Sequence, residues 1–340
     1  MKKNILKKIF IKISKLLGLE LIDQNEFNSP TLNKELNEEL SSINKKSIVI
    51  PLGEVQITRK IKSVLIIVRT NTNIDIWDQN KKRIFEFPKI EYTLRSIFSL
   101  LKSVKLCKNK YKNIDFKIIV IDDQSNEQNL SSVKNLLIKS GIDFNLVSLI
   151  KDKYNKIIKS QKNDQTFSNL SSLLESFETA KKNAEDLVFF LEDDYLHFST
   201  MVEEIIATYE RISSQLKKDI FICPADYPYL YMENKNTNIL VGNKRHWRTV
   251  DKTLCTFVTS KYLINKYWDN LYKNCLDRHD PFEKYINENY KNEFCFSPIK
   301  SLSIHLTNIN SSYGLSPFID YKKIWEDNNY NDQSSRKKSS

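Results

Sequence analysis

Glycine is scarce in this chain, with 5 residues among 340. Loops that cradle phosphates need closely spaced glycines so that the backbone can approach the ligand, and neither a Walker-type motif nor a Gly-x-Gly-x-x-Gly motif is present, so ATPase and classical dinucleotide readings lose their main support. Cysteine is sparse as well. Cys107, Cys223, Cys255, Cys275 and Cys295 are an odd set, widely separated and without Cys-x-x-Cys spacing. That pattern argues against a zinc site or a secreted disulfide framework, and suits buried thiols in a reducing compartment. No run of about twenty apolar residues is available to cross a bilayer. Zinc-finger, homeodomain and continuous basic-groove signatures are missing too, so a nucleic-acid partner is not expected.

What is present is core material and positive charge. Hydrophobic residues make up 40% of the composition and aromatics 11%, enough for a sizeable interior and too many for a largely disordered chain. Lys and Arg exceed Asp and Glu by 53 to 42, a net charge of +11. The excess favours nucleotides, phosphorylated substrates or an acidic membrane surface without choosing among them.

Residues 1–22 read as a basic amphipathic helix. Ile5, Leu6, Ile9, Phe10, Ile13, Leu16 and Leu17 recur at nearly helical spacing, with lysines at 2, 3, 7, 8, 12 and 15 on the other side. Such a helix can lie in an anionic membrane interface, or pack against the main domain or a partner. Lys12 and Lys15 interrupt the apolar residues and no small-residue cleavage site follows, so it is not read as a secretory signal. Residues 23–60 form a connector or peripheral subdomain, polar up to Lys46 and then holding an edge strand near Ser47–Val55. The main domain spans 61–310, and 311–340 is a loop, a short helix and a polar tail that frays from about Asn328.

Within 61–310 the periodicity alternates between strands and helices. Ser63–Val68, Phe116–Ile121, Asn145–Ile150 and Leu187–Leu191 are apolar runs that suit strands buried on both faces. Tyr92–Cys107, Asn129–Lys139, Phe167–Lys182 and Met201–Leu216 carry apolar residues at helical spacing. This order predicts an α/β fold with a mostly parallel central sheet, right-handed crossovers and flanking helices. Later strands are expected over Asp219–Asp226, Ile239–Val250, Leu254–Ser260 and Ile299–His305.

Polar groups gather where these strands end. Leu187–Leu191 runs into Glu192-Asp193-Asp194, three carboxylates that cannot follow the strand into an apolar core without a large desolvation cost. In open α/β sheets the carboxyl edge is where ligands bind, and hard oxygen donors there suit Mg²⁺ or Mn²⁺ bridging to phosphate. A solvated acidic turn is the plain alternative. Ser63–Val68 ends in Arg69-Thr70-Asn71, and Phe116–Ile121 in Asp122-Asp123-Gln124-Ser125, where an Asp can accept hydrogen bonds from a base or ribose and Ser125 can cap the next helix. Arg95 is expected at the surface or in a salt bridge. His197 reads as a local hydrogen-bonding residue, and His305, at the end of a later strand, as able to complete an oxygen-rich metal site. Arg245 and Arg248 have donor geometry for phosphate or carboxylate, beside His246 and Trp247. Asp280-Pro281-Phe282-Glu283 has capping-box spacing at a helix start, yet Asp280 would serve as a catalytic base if the fold turns it into the cleft.

Ser63 to Asn71, Ile118 to Ser125 and above all Phe189-Phe-Leu-Glu-Asp-Asp-Tyr195 resemble the nucleotide-diphosphosugar glycosyltransferases of the GT-A type, most nearly the bacterial family-two group. The resemblance runs as an order of features from about Ile61 to Asn310, but Glu192-Asp193-Asp194 is not a full Asp-x-Asp sequence, and the polar segment 71–88 is long for a first nucleotide loop. It implies a nucleotide-sugar donor, a glycan or lipid-linked acceptor, and Mn²⁺ or Mg²⁺. It also implies that Arg69 and Thr70 lie near the base, Asp123 near base or ribose, Asp193 near ribose or diphosphate, Asp194 and His305 at the metal, and Asp280 at the acceptor hydroxyl of an inverting, in-line displacement. The setting it implies is cell-surface polysaccharide synthesis on the cytoplasmic side, peripheral to the membrane. A nucleotidyltransferase or sugar-nucleotide pyrophosphorylase, and a non-catalytic carbohydrate-binding protein, are the competing readings.

Overall fold

A computed structural model describes residues 2–19, 41–49, 53–73, 83–159, 165–306 and 311–331. Residues 23–40 of the polar connector expected up to Lys46, residues 74–82 of the long segment after Asn71 and the last nine residues lie outside these.

Helix α1 (Lys2–Leu16) precedes a small antiparallel sheet of β1 (Ser41–Ser42), β2 (Lys46–Val49) and β3 (Gly53–Gln56). The single edge strand expected near Ser47–Val55 is therefore two strands of one hairpin. The alternating part follows: β4 (Ser63–Thr70), α2 (Lys89–Lys110), β5 (Asp115–Asp122), α3 (Glu127–Ser140), β6 (Asp143–Ser148), α4 (Gln165–Asn183) and β7 (Leu187–Glu192). A more irregular half comprises β8 (Tyr195–His197), α5 (Met201–Leu216), β9 (Phe221–Ile222), β10 (Ile239–Val241), β11 (His246–Val250), β12 (Phe257–Ser260), α6 (Lys261–Lys266), α7 (Trp268–Asn274), α8 (Lys284–Glu288), β13 (Cys295–Pro298), β14 (Ser303–His305) and α9 (Tyr321–Asp327).

The central sheet has the order β10-β11-β13-β9-β12-β7-β4-β5-β6. Its long ladders are parallel, with 8 residue pairs between β4 and β5 and 6 each between β4 and β7 and between β5 and β6. The antiparallel pairings are shorter and lie on the β12 to β10 side. Thus the expected α/β arrangement, a mostly parallel central sheet flanked by helices, is present. β9 runs antiparallel to β12, and β12 antiparallel to β7, so the carboxyl ends of β4, β5, β7 and β9 share one edge.

The pleat sorts the β4 side chains. Val64, Ile66 and Val68 join the core under α2, α3 and α5, while Leu65 and Ile67 join the one under α4 and the later helices. Covering both faces explains why the strand reads as an unbroken apolar run. All five cysteines are buried and free.

Several local expectations are corrected. Asn126, not Ser125, caps α3, accepting from Asn129 N at 2.9 Å. Ser125 instead accepts from Thr72 N at 3.0 Å and ties two edge loops together. Arg95 does sit in a salt bridge, as one of its two expected settings, with Glu91 Oε1 at 2.7 Å, but it is buried and stacked over Trp325 of α9 rather than lying at the surface. Strand β9 stops at Ile222, short of Pro224, whose ring nitrogen has no hydrogen to donate to a ladder. The chain after α9 does not fray at Asn328, because Asn328 is buried and the Tyr330 hydroxyl donates to Glu91 Oε2 at 2.8 Å. No capping box forms at Asp280, since α8 starts at Lys284 and Glu283 makes no side-chain cap bond.

Candidate active site

Parallel register sets the first contacts. Arg69 pairs with Glu192 across β4 and β7, and Thr70 with Asp122 across β4 and β5. The Arg69 guanidinium donates to Glu192 Oε1 at 2.7 Å and to Asn169 Oδ1 at 2.6 Å, and Thr70 Oγ1 donates to Asp122 Oδ1 at 2.8 Å. These strand-end residues brace one another beneath the edge.

Asp123 follows one residue after β5. Lys151 stands 2.7 Å from Oδ1, Ser168 of α4 donates to Oδ2, and Asn71 Nδ2 reaches the same oxygen at 3.0 Å. One carboxylate thereby joins three segments distant in sequence.

Beyond Glu192 the chain turns through Asp193 and Asp194 into β8. Asp193 points inward beneath the first turn of α2: Lys89 Nζ is 2.6 Å from Oδ1 and Thr93 Oγ1 donates to Oδ2 at 2.7 Å. Lys89 and Thr93 are four residues apart and so share one helix face, and a helix amino end carries partial positive charge that suits a carboxylate. Asp194 points the other way. β8 pairs antiparallel with β14, matching Tyr195 to His305, which brings His305 Nε2 to 3.3 Å from Asp194 Oδ2 and stacks the imidazole on the Tyr195 ring at 4.7 Å.

The other nitrogen fixes the state of this imidazole. His305 Nδ1 lies 3.2 Å from the Tyr313 carbonyl, which can only accept, so Nδ1 carries a hydrogen. Nε2 then faces a carboxylate, an arrangement that asks for a second proton or a cation. Burial alone would lower the pKa of His305, but the Asp194 carboxylate outweighs it and the pKa is raised.

A carboxylate that sequence reasoning left to helix capping also belongs here. Glu283 is buried, and the Cys255 thiol approaches its Oε1 at 3.7 Å. Burial first, then the charge of Glu192, pushes the Glu283 carboxyl up to about 7. Glu192 is itself raised by burial, with Arg69 opposing and Asp194 adding to the rise. Glu283 thus feels the charge of Glu192, which in turn feels that of Asp194. Asp280, on the bend before it, is exposed. The signal in the sequence was the apolar and aromatic company of Glu283, but the three-residue spacing to Asp280 explained it without recourse to a site.

The two later arginines are not drawn into this cluster. From β7 to β11 is four strand steps, roughly 19 Å at about 4.8 Å per step. Arg248 is buried against Asp226 Oδ1 at 2.8 Å, and the Arg245 guanidinium donates to the Lys300 carbonyl at 2.5 Å. His197 makes a hydrogen bond that is not local, Nδ1 to Ser303 Oγ at 2.8 Å across the β8–β14 pair, and burial pushes its pKa down to about 3, so it stays neutral.

The donor set at Asp194 and His305 fits a divalent cation. One hard oxygen and one imidazole nitrogen already face each other, at a separation longer than the ~2.8 Å of a tight charge-assisted bond. Among the described residues, no group of three or more His, Cys, Asp or Glu side chains forms a protein cage. Any such ion would draw its other ligands from water and substrate oxygens, as Mg²⁺ commonly does.

No family model matches the chain, and no curated protein matches it. Solved structures similar to it include a UDP-glucose pyrophosphorylase complexed with UDP-glucose (10% identity, 81% of this chain and 99% of that one, TM-score 0.38). Another is the glycosyltransferase GlyE of Streptococcus pneumoniae TIGR4 (11% identity, 80% and 62%, TM-score 0.41). A third is the galactosyltransferase LgtC in complex with donor and acceptor sugar analogs (11% identity, 66% and 70%, TM-score 0.34). At such identities and scores the likeness is one of general chain path. The fold assignment rests on the strand order given above, and the residue roles on the contacts of this chain.

Proposed function

We propose that the chain transfers a sugar from a nucleotide-diphosphate donor to a hydroxyl of a glycan or lipid-linked acceptor, with Mn²⁺ or Mg²⁺ and with inversion. The observation that carries the reading is the Asp194–His305 pair, a carboxylate and an imidazole nitrogen facing one another at the carboxyl edge of a parallel sheet, one turn away from the braced Asp123 and Arg69 loops.

Asp123, flanked by Lys151, Ser168 and Asn71, is the contact to base or ribose. Arg69 and Thr70 brace the sheet edge beneath it through Glu192 and Asp122. Asp193, held by Lys89 and Thr93, fixes the turn next to the ribose or diphosphate and positions Asp194. Asp194 and His305 would hold the cation, whose chemistry is to neutralise charge on the departing diphosphate. In the displacement, the acceptor oxygen forms a bond to the anomeric carbon as the bond from that carbon to the diphosphate oxygen breaks. The acceptor proton goes to a carboxylate of the segment 280–283. Glu283 is favoured over Asp280, because a carboxyl near pH 7 in its proton affinity takes and releases a proton readily, and because Glu283 is buried beside the cluster while Asp280 is exposed.

The deciding experiment offers purified protein a panel of nucleotide sugars with glycan and lipid-linked acceptors, with and without Mn²⁺ and Mg²⁺. Glycosylated acceptor and free nucleoside diphosphate are expected. Pyrophosphate release from a nucleoside triphosphate and a sugar 1-phosphate, without acceptor transfer, would instead make it a nucleotidyltransferase. Binding of sugars with neither reaction would make it a carbohydrate-binding protein.

A further inference from the structure

Among the described residues, helix α1 presents a run of large apolar side chains that the fold leaves uncovered. Ile5, Leu6, Ile9, Phe10, Ile13 and Leu16 are between 48% and 85% exposed. At 100° per residue these six fall within an arc of about 140°, so they form one continuous apolar stripe. Such a stripe on a folded protein marks a surface that is covered in use.

The rest of the helix says by what. From Lys2 to Leu19 there is no Asp or Glu, while lysines occupy positions 2, 3, 7, 8, 12 and 15. Lys8, Lys12 and Lys15 are exposed and lie along one border of the stripe. An ordinary protein face would bury the stripe and gain nothing from this one-signed charge. A surface that is apolar within and anionic at its rim matches both.

The helix is also too short to go through such a surface. Its 15 residues span about 22 Å, less than the ~30 Å of a bilayer core, and among the described residues no helix is long and apolar enough to cross a membrane. It has a definite end. Gly18, at φ 73°, closes it with Gly18 N donating to Lys15 O at 3.2 Å and Leu19 N to Ser14 O at 2.8 Å, the paired bonds of a Schellman cap. The left-handed turn at Gly18 leaves Leu17 and Leu19 exposed next to the stripe. A short, capped helix with a wide apolar face and lysines at its border is built to lie in the plane of a membrane interface.

We propose that α1 docks the protein onto an anionic lipid surface, with its apolar stripe among the acyl chains and its lysines at the headgroups. This inference does not depend on the proposed transfer reaction. The test is flotation of the full chain with vesicles of phosphatidylglycerol and phosphatidylcholine, against vesicles of phosphatidylcholine alone, at low and high salt. Binding is expected to the anionic vesicles and to fall with salt. Replacing Lys8, Lys12 and Lys15 together by Gln should weaken it on the order of a hundredfold, since each lysine near an anionic surface contributes roughly fivefold. The double change Ile9→Glu and Phe10→Glu should abolish it. Both variants alter exposed side chains, and an unchanged unfolding transition would show that the fold is intact. Equal binding to neutral and anionic vesicles, or equal binding by wild type and the Glu variant, would overturn the proposal. So would concentration-dependent self-association that the Glu variant loses, in a protein that ignores lipid, because the stripe would then be an interface between copies.

Discussion

Replacing Glu283 by Gln tests the least expected member of the site. The substitution keeps size and hydrogen-bonding capacity but removes the charge. In the folded chain burial and Glu192 push this carboxyl from an ordinary 4.5 up to about 7. Below pH 4.5 both folded and unfolded chains hold the proton. Between 4.5 and 7 the unfolded chain has released it and the folded chain has not, so stability falls as pH rises through this window and levels off above it. The gap is about 2.5 pKa units at about 1.4 kcal/mol each, so the Gln variant should gain on wild type by roughly 3 kcal/mol between pH 4 and pH 8. Glu204 and Glu210, also raised by burial, slope the same way in both chains and cancel, whereas Glu192 shifts when the Glu283 charge is removed, so the difference reports Glu283 together with its coupling to Glu192. Urea unfolding of both proteins across this range gives the number. A wild-type-minus-variant difference that does not change with pH would refute the placement of Glu283 beside Glu192. The same protein, assayed for transfer, should lose turnover while retaining donor binding. Full turnover there, with loss in Asp280→Asn, would return the base to Asp280.

Other consequences can be measured on the same preparations. Because the His305 pKa is raised and an imidazolium cannot bind a metal, Mn²⁺ affinity should increase as pH rises through 6.5 and beyond, and Asp194→Asn should weaken it at least tenfold; titration calorimetry that finds neither effect removes the metal from this pair. Arg248→Ala strands Asp226 in the interior and should cost about 3–5 kcal/mol in chemical denaturation, whereas a cost under about 1 would mean that water reaches the carboxylate. At Gly242 an added Cβ lands on the Trp247 indole and on Thr208, so Gly242→Ala should destabilise by about 1–3 kcal/mol, and a thermal midpoint equal to wild type would contradict that packing.

Strands buried on both faces announce themselves as apolar runs, and for that reason β4, β5 and β7 were legible to within two residues. The carboxylates at their ends were legible for the converse reason, since charge has to leave the core. Short, two-sided contacts were not. Strand β9 has only two paired residues and follows no period, and Asn126 rather than Ser125 caps α3 where the Ser125 hydroxyl already accepts from Thr72 N.

The sequence by itself determined the α/β class, the alternation that makes the long ladders parallel, the acidic edge after β5 and β7, and the amphipathic character of α1. All of these follow from periodicity and from the cost of burying charge, which are local properties of a chain. Tertiary structure alone decided how the three carboxylates of Glu192-Asp193-Asp194 divide their work: Glu192 to Arg69, Asp193 inward to Lys89 and Thr93, Asp194 outward to His305. It likewise decided that Glu283 turns inward and that Arg245 and Arg248 stand apart. Those outcomes depend on which residues the fold brings together from distant parts of the sequence, as far as 123 positions for Arg69 and Glu192, and on how deeply each is then buried. Neither quantity is written in the spacing of a motif.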